Sequence, residues 1–279
     1  MQKDIDIWQK TLTLRSLVIP KEEDVDTHIK FSNLCRKNSR LPLCNRVLQK
    51  LKESIPSGNT NSAVKIEYAL LKCLWDTGNQ AEAYNKIKNM ISNGSVDFDN
   101  VLKSKCFLKL GLWEKSNLNA VLMNEEMFDS ILISFERSTK LNQNYYKAWH
   151  AYAISNYEAI IYFEELMKKG LFNNIERFHF HVLSAINGFV RAISLGGRDI
   201  TKTLQNLLRL LKLWFQQGDQ PDIEQIMRAS FEIIDINTWL AIIPQILARI
   251  DMKNMIVKKT MYDLLDKIGY YHPQALIYP

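Results

Sequence analysis

Apolar residues recur in this chain with a period of about 3.6 residues along nearly its whole length, a spacing typical of amphipathic helices. One apolar stripe runs through Ile66, Leu70 and Leu74. Another runs through Leu207 and Leu211. The apolar/polar alternation of a half-buried strand is not sustained anywhere, and 10 Gly and 7 Pro in 279 residues are few for a sheet-rich fold with many tight turns. The sequence therefore predicts an all-α fold.

Short polar turns with a shared layout separate the helices. In each, an amphipathic helix ends, a Gly or Asn is expected in the left-handed conformation that terminates it, and a second helix begins. The segments are KNSRLPLC (37–44), DTGNQAEA (76–83), KLGLWEKS (109–116) and QQGDQPDIEQ (216–225). The first three recur at intervals of roughly 30 to 40 residues, the range of helical-hairpin repeats. Because TGNQAEAY resembles the turn of a tetratricopeptide repeat (TPR), the series predicts an α-solenoid.

The character of the helices changes after a connection at residues 168–174, KKGLFNN. Beyond it the helices are longer and more apolar. The segment WLAIIPQILARI (239–250) resembles a HEAT-type helix with a kink at Pro244. We therefore expect TPR-like helical hairpins in residues 1–167, followed by HEAT-like repeats in residues 175–279.

Composition limits the cellular setting. Apolar residues make up 47% of the chain, which is enough for a full core. Residues 1–20 are polar and charged, so no signal peptide is expected, and no apolar run reaches the roughly 18 residues of a membrane span. Four cysteines lie among apolar residues without metal-type spacing: Cys35, Cys44, Cys73 and Cys106. They are interpreted as buried thiols of a protein in a reducing compartment, the cytoplasm.

Signatures of catalysis are missing from the sequence. There is no glycine-rich phosphate loop, and the string nearest to a kinase DFG motif, Asp97-Phe98-Asp99, lacks the glycine. His150, within YYKAWH, has no carboxylate or nucleophile three or four residues away, so a structural role is favoured over general-base catalysis. His179 and His181 point to different sides of a helix, and no metal site is expected.

The positive charge of the chain, +6 at pH 7, suggests an anionic partner. Its basic residues are scattered over many helices and form no known reader motif, so nucleic acid is not expected. Lys105 and Lys109 lie four residues apart on one helix face, close to Lys103, without an acid at the same spacing. The spacing alone favours a solvated surface, and the alternative is a binding site for a polyanion.

Several segments in the same order resemble the FAT domain of target of rapamycin (TOR) serine/threonine kinases, members of the PI3K-related kinase family. They include CFLKLGLW (106–113), YKAWHAYA (146–153), GFVRAISL (188–195) and HPQALIYP (272–279). The resemblance covers nearly the whole chain, and HPQALIYP is its most specific part. It implies an α-solenoid of TPR-like and then HEAT-like repeats that clamps and restrains a kinase domain.

In this family the rapamycin-binding helical bundle and the kinase domain follow HPQALIYP. We therefore expect both to be absent from this chain, which would be a non-catalytic regulatory segment. The implied partners are the kinase domain and the rapamycin-binding bundle of the full-length protein, together with TOR complex subunits. The expected location is cytoplasmic, with peripheral attachment to endomembranes as part of a TOR complex. The alternatives are a freestanding TPR-type adaptor that binds peptides and, behind it, an enzyme.

The family also binds inositol hexakisphosphate in a basic pocket of this region. Carried over by motif, the binding residues would be Lys30, Lys37, Lys72, Lys105, Lys109, Lys147 and, at the edge of the match, Lys3. One position departs from the family pattern, because Asp76 stands where the family has a further lysine. An acid there is expected to weaken the site or to shift its geometry. Retention of lysine at most of the other positions favours a ligand site over a solvated surface at Lys105 and Lys109.

Overall fold

The computed structural model of the chain describes residues 4–55, 60–92, 99–117, 125–196 and 200–277. These residues form fifteen helices and no strand, so the predicted all-α class is confirmed. The helices are α1 (Ile5–Arg15), α2 (Val25–Lys37), α3 (Leu41–Ser54), α4 (Thr60–Asp76), α5 (Gln80–Ser92), α6 (Asn100–Asn117), α7 (Glu125–Leu141), α8 (Tyr146–Lys168), α9 (Ile175–Leu195), α10 (Ile200–Gln217), α11 (Pro221–Ile233), α12 (Ile236–Leu240), α13 (Ile243–Leu247), α14 (Met255–Tyr271) and α15 (Gln274–Ile277). They fall into two compact units, Met1–Leu122 and Met123–Pro279.

Helices α2, α4 and α6 of the first unit run parallel to one another. Three side-chain pairs that join α2 to α4 have partners 39, 39 and 40 residues apart: Asp26–Lys65, Asn33–Lys72 and Arg36–Asp76. Such a constant separation requires parallel helices. Between α4 and α6, the Tyr68 hydroxyl donates to the carbonyl oxygen of Lys105, 37 residues further on, at 3.3 Å. The spacing agrees with the helical-hairpin period expected from the turns, with α3 and α5 as the second helices of their hairpins.

The turns of this unit show which local predictions hold. Gly78, with φ of 97°, lies between α4 and α5 in the left-handed conformation that a glycine adopts without strain. In the turn before α3, however, Ser39 has the positive φ, at 60°, and not the expected Asn. The turn predicted at residues 109–116 is wrong, because α6 continues through it to Asn117. Trp113 is buried there and stacks on Trp75 at 4.5 Å between ring centroids, which outweighs the roughly 1 kcal/mol that a glycine costs within a helix.

The second unit is built around the long pair α8 and α9. The connection predicted at residues 168–174 is present, since α8 ends at Lys168 and α9 begins at Ile175. The two helices approach closely: a Cβ atom added at Gly188 would lie 2.9 Å from Cβ of Ala153. A single apolar cluster then joins α8 to the later helices as far as α14, and its largest members, including Trp214 and Trp239, are fully buried.

The continuous HEAT-type helix predicted for residues 239–250 is wrong. The chain forms two short helices there, α12 and α13, and Pro244 lies in the first turn of α13. Proline has no backbone N–H, and the first turn of a helix does not require one, so a new helix start is more favourable than a kink. The assignment of TPR-like and HEAT-like character to residues 1–167 and 175–279 concerns repeat type and stays a prediction.

All four cysteines are buried and carry free thiols, as predicted. Within the described ranges, no helix combines the length and the apolarity that crossing a bilayer requires.

Candidate anion-binding site

Four basic side chains of the first unit lie close together on the parallel helices α2, α4 and α6. Arg36 is in the last turn of α2, Lys72 is in the second half of α4, and Lys105 and Lys109 are on one face of α6. The charges of the other three all act on the Lys72 ammonium group. The parallel stack causes this convergence, because residues about one repeat apart in sequence reach similar heights on neighbouring helices.

Lys72 lies at the centre of this cluster. Its Nζ donates to Oδ1 of Asn33 at 2.9 Å and lies 4.6 Å from the centroid of the Tyr68 ring. Burial, followed by the neighbouring positive charges, lowers the pKa of Lys72 to about 7, against an opposing effect of Cys44. Near neutral pH this amine is therefore divided between its neutral and charged forms, and an anion beside it would favour the charged form.

A buried thiol lies beside the cationic groups. Burial raises the pKa of Cys106 to about 12, while the charges of Lys72 and Lys105 act in the opposite direction. The thiol therefore stays protonated, and Cys106 contributes apolar packing and not a nucleophile. The chemistry left to this cluster is electrostatic: it can hold negative charge.

The carboxylate of Asp76 belongs to the same cluster and forms an ion pair with Arg36, from Oδ2 to Nη1. Asp76 therefore has its own cation, which explains how an acid is tolerated at a position where a lysine was expected. Nε of Arg36 is buried and has no hydrogen-bond partner among the described residues. The arrangement thus contains one carboxylate, several cations and an unsatisfied donor.

Lys30 and Lys37 lie on α2 beside the cluster, and both are exposed. They are three residues before and four residues after Asn33, the residue that reaches Lys72. Positions three and four apart share a helix face, so both lysines lie on the face of α2 that turns toward α4. They add positive charge to the rim of the cluster.

Comparison with known proteins identifies the region that carries this cluster. The family model described as "FAT domain" matches residues 1–212, about three quarters of the chain. The chain belongs to the FAT domain family. The prediction of a FAT domain resembling that of TOR kinases is therefore confirmed.

Three relatives of this FAT segment match it over its whole length, and all are serine/threonine-protein kinases. They are TOR2 of Saccharomyces cerevisiae (34% identical, 100% of this chain, 13% of the relative), mTor of Drosophila melanogaster (29%, 100% and 12%) and TOR of Arabidopsis thaliana (30%, 100% and 12%). The chain thus spans about an eighth of the length of these kinases. Their FAT domain is a non-catalytic part of the protein, so the prediction that this segment is not itself an enzyme is confirmed.

Two further ligand residues were predicted from the resemblance, Lys147 and Lys3. Lys147 is exposed in the first turn of α8, in the second unit. Lys3 lies outside the described residues. The structure therefore brings together Lys72, Lys105 and Lys109, and it places Lys30 and Lys37 on the adjoining face of α2.

The sequence reasoning missed three contributors to the cluster, namely Arg36, Asn33 and Tyr68. A signal for them was present, because Asn33, Lys72 and Lys109 occupy corresponding positions in successive repeats. Aligning the chain on its own repeat period would have placed Asn33 and Arg36 beside Lys72.

The histidines of the FAT segment do not form an alternative site. Nδ1 of His150 lies 3.0 Å from Oδ1 of Asn206, and its ring stacks on Tyr146 at 5.7 Å between centroids. Both contacts are those expected of a structural residue between helices. In the part of the chain that the structure describes, no three His, Cys, Asp or Glu side chains lie together as metal ligands would.

Proposed function

We propose that this chain is a regulatory scaffold segment of a TOR-type protein kinase, that it holds the kinase domain, and that it binds an inositol polyphosphate between its helical repeats. Inositol hexakisphosphate is the ligand that fits the resemblance. The observation that carries the binding proposal is the convergence of Arg36, Lys72, Lys105 and Lys109 from three helices. The complete protein would act in the cytoplasm, in part at endomembrane surfaces, as a member of a TOR complex.

The charge pattern of the cluster favours a ligand with several phosphates. Without a ligand, the cations repel one another, and that repulsion contributes to the lowered pKa of Lys72. Hydrogen bonds to a charged group contribute roughly 1.5–3 kcal/mol each, so a phosphate that engages two or three cations gains several such bonds. The donors come from α2, α4 and α6, and Lys30 and Lys37 on α2 add to them. One small anion would therefore engage only some of these donors.

Binding at this position would also stabilise the fold. A ligand that joins three parallel helices links successive repeats, which otherwise contact one another through packing and the polar pairs between α2 and α4. Any ligand that binds the native state alone raises its stability by mass action. We therefore assign the ligand a structural role in the FAT segment, and Lys147 stays among the ligand residues predicted from the resemblance.

The scaffold part of the proposal draws on exposed apolar residues near the C-terminal end. Met255 is 73% exposed, Tyr270 is 82% exposed, and Tyr262 and Tyr271 are also exposed along α14. An exposed apolar surface in this region is expected if the rapamycin-binding bundle and the kinase domain pack against it in the full-length protein. The isolated segment is accordingly expected to self-associate at high concentration.

Thermal melting with and without inositol hexakisphosphate tests the binding proposal. The ligand should raise the melting temperature of the unchanged chain. Lys109→Glu should abolish most of that shift, because it reverses a charge in the cluster. Lys88→Glu, at an exposed position of α5, introduces the same charge change and should retain the shift. Lys147→Glu tests the predicted contribution of Lys147 separately. If the unchanged chain shows no ligand-dependent shift, the binding proposal fails.

The kinase context has its own test, the transcript sequence beyond the codon for Pro279. An in-frame helical bundle followed by HRD and DFG motifs would support the scaffold role. A stop codon directly after Pro279, together with a soluble monomeric product, would favour the freestanding TPR-type adaptor.

A further inference from the structure

The ion pair between Arg36 and Asp76 lies within the cationic cluster, and it suggests how the affinity of the site is set. We propose that Arg36 is an additional ligand-binding residue of the anion site and that Asp76 is an internal anion that competes with the ligand for it. This inference rests on the proposed function, since it concerns the same site. It adds a residue that the resemblance did not indicate and gives the carboxylate a role.

The surroundings of Arg36 support a role beyond pairing with Asp76. Its side chain is only 17% exposed, and its positive charge acts on Lys72, the central lysine of the site. The guanidinium has five N–H donors, and one of those on Nη1 donates to Asp76. The buried Nε finds no acceptor within the described ranges. A buried donor without an acceptor is unfavourable, and a phosphate oxygen is an acceptor that would satisfy it.

Asp76 opposes the ligand in two ways. Its negative charge repels phosphate, and its carboxylate occupies a guanidinium edge that a phosphate could engage through two parallel hydrogen bonds. A phosphate monoester carries about 1.5 to 2 negative charges near pH 7, more than a carboxylate, so a phosphate can displace Asp76 from Arg36. A ligand with several negative charges is then able to break the ion pair and bind, whereas a weakly charged ligand is not.

A double-mutant cycle on the whole chain tests this inference, with inositol hexakisphosphate as the probe and calorimetric titration as the measurement. Asp76→Asn should tighten binding about tenfold, because it removes the competitor. Arg36→Gln should weaken binding by about tenfold or more, as expected for a lost charge-assisted contact. The decisive comparison is Arg36→Gln in the Asp76→Asn background, where we expect a loss of about tenfold. Arg36→Lys in that background keeps the charge and should lose less.

The exposed pair Arg40–Asp6, 3.3 Å apart between α3 and α1, provides the matched control. Arg40→Gln and Asp6→Asn change the net charge of the same unit identically, and both should leave the affinity unchanged within about twofold. Melting of each variant without ligand establishes that it folds. If Arg36→Gln does not fold, Arg36→Lys carries the comparison.

Two results would overturn the inference while leaving the proposed function intact. One is unchanged affinity on replacing Arg36 in the Asp76→Asn background, which would make Arg36 only the counter-ion of Asp76. The other is an equal effect of the control pair, which would indicate a general charge effect. Absence of binding to every variant, including Asp76→Asn, would overturn the proposed function and this inference together. Binding that appears only in Asp76→Asn would support the competition by Asp76, but it would overturn the proposed binding function of the unchanged chain.

Discussion

The two units of the chain bury different chemistry between their helices. In the second unit, one large apolar cluster connects helices from α8 to α14, with Phe189 and Trp214 fully enclosed. Among the described residues of the first unit, the buried apolar side chains form three separate clusters, and a group of cations lies beside them. The second unit is therefore expected to gain its stability mainly from packing, whereas the stability of the first should respond more strongly to pH and to bound anions.

Helix contacts show the same difference. In the second unit, Gly188 allows α9 to approach Ala153 of α8 so closely that no Cβ atom fits between them. In the first unit, α2 and α4 are joined by polar pairs, of which Asp26–Lys65 is exposed. Exposed ion pairs contribute little to stability, and close apolar packing contributes more. In this stack, polar groups lie between the parallel helices beside their apolar contacts, which leaves room for a ligand to contribute.

The largest effect should come from the core of the second unit. Phe189→Ala removes a fully buried ring and should lower the free energy of unfolding by about 3–5 kcal/mol. Phe180→Ala lies on the same helix, where the ring is 56% exposed, and should cost less than about 1 kcal/mol. Urea denaturation followed by circular dichroism measures both. Equal losses for the two variants would contradict an apolar core centred on α9.

In the first unit, removing the partly buried amine of Lys72 should raise the free energy of unfolding instead of lowering it. Lys72→Met replaces a partly buried lysine by an apolar side chain of similar length, so the ligand-free chain should become more stable at pH 7, by about 1–4 kcal/mol. The same variant should lose the stabilisation by inositol hexakisphosphate. Lys88→Met, at an exposed position, is the matched control and should change neither quantity. A loss of stability in Lys72→Met without ligand would contradict the view that the buried charge of Lys72 and its repulsion by neighbouring cations destabilise the ligand-free chain.

The pH dependence of that difference follows from the pKa of Lys72. It is about 7 in the folded chain, against an ordinary value of 10.5, so the unfolded chain binds more protons between these two pH values. Stability of the unchanged chain should therefore rise with pH in this window, by about 2 kcal/mol from pH 7.5 to pH 9. The rise should be missing from Lys72→Met. Melting curves at several pH values, in parallel for both chains, measure the effect.

Sequence periodicity was sufficient to predict that the first unit is helical. The 3.6-residue stripes and the turn at Gly78 are local signals, and the structure agrees with both. Where the local sequence signal for a helix boundary was ambiguous, tertiary packing determined where the helix begins or ends. Gly111 is typical of a helix end, yet Trp113 beyond it is buried against Trp75 and keeps α6 continuous. Pro244 predicts a kink within one helix, yet it begins another.

The candidate site was predicted only in part, for a related reason. Lys105 and Lys109 are one turn apart and therefore visible in a local window, whereas Arg36 reaches Lys72 only because α2 and α4 lie side by side. The family resemblance carried over lysine positions, and Arg36 was not among them. The ion pair of Arg36 with Asp76 required both helices to be placed in space.

The smallest expected effect is a pH response of the second unit in a different window. His181 on α9 is almost fully buried, and Nδ1 lies 2.9 Å from Oδ1 of Asn156. Because the Asn156 amide donates to the Tyr152 carbonyl oxygen, its Oδ1 is the acceptor and Nδ1 of His181 carries the proton. Burial and, after it, the charge of Arg177 lower the pKa of His181 to about 4, against an opposing effect of Asp129.

Since the ordinary pKa of histidine is 6.5, the unfolded chain binds more protons than the folded chain between pH 6.5 and about 4. The second unit should therefore lose stability as the pH falls, by about 1 kcal/mol from pH 7 to pH 5.5. His181→Gln should remove this dependence, whereas His179→Gln, at the partly exposed histidine two residues earlier, should retain it. Melting curves in that range measure the difference. His181→Gln should leave the rise in stability between pH 7.5 and pH 9, which depends on Lys72, unchanged. If that rise also disappears in His181→Gln, the two units do not respond to pH independently, and the comparison between them fails.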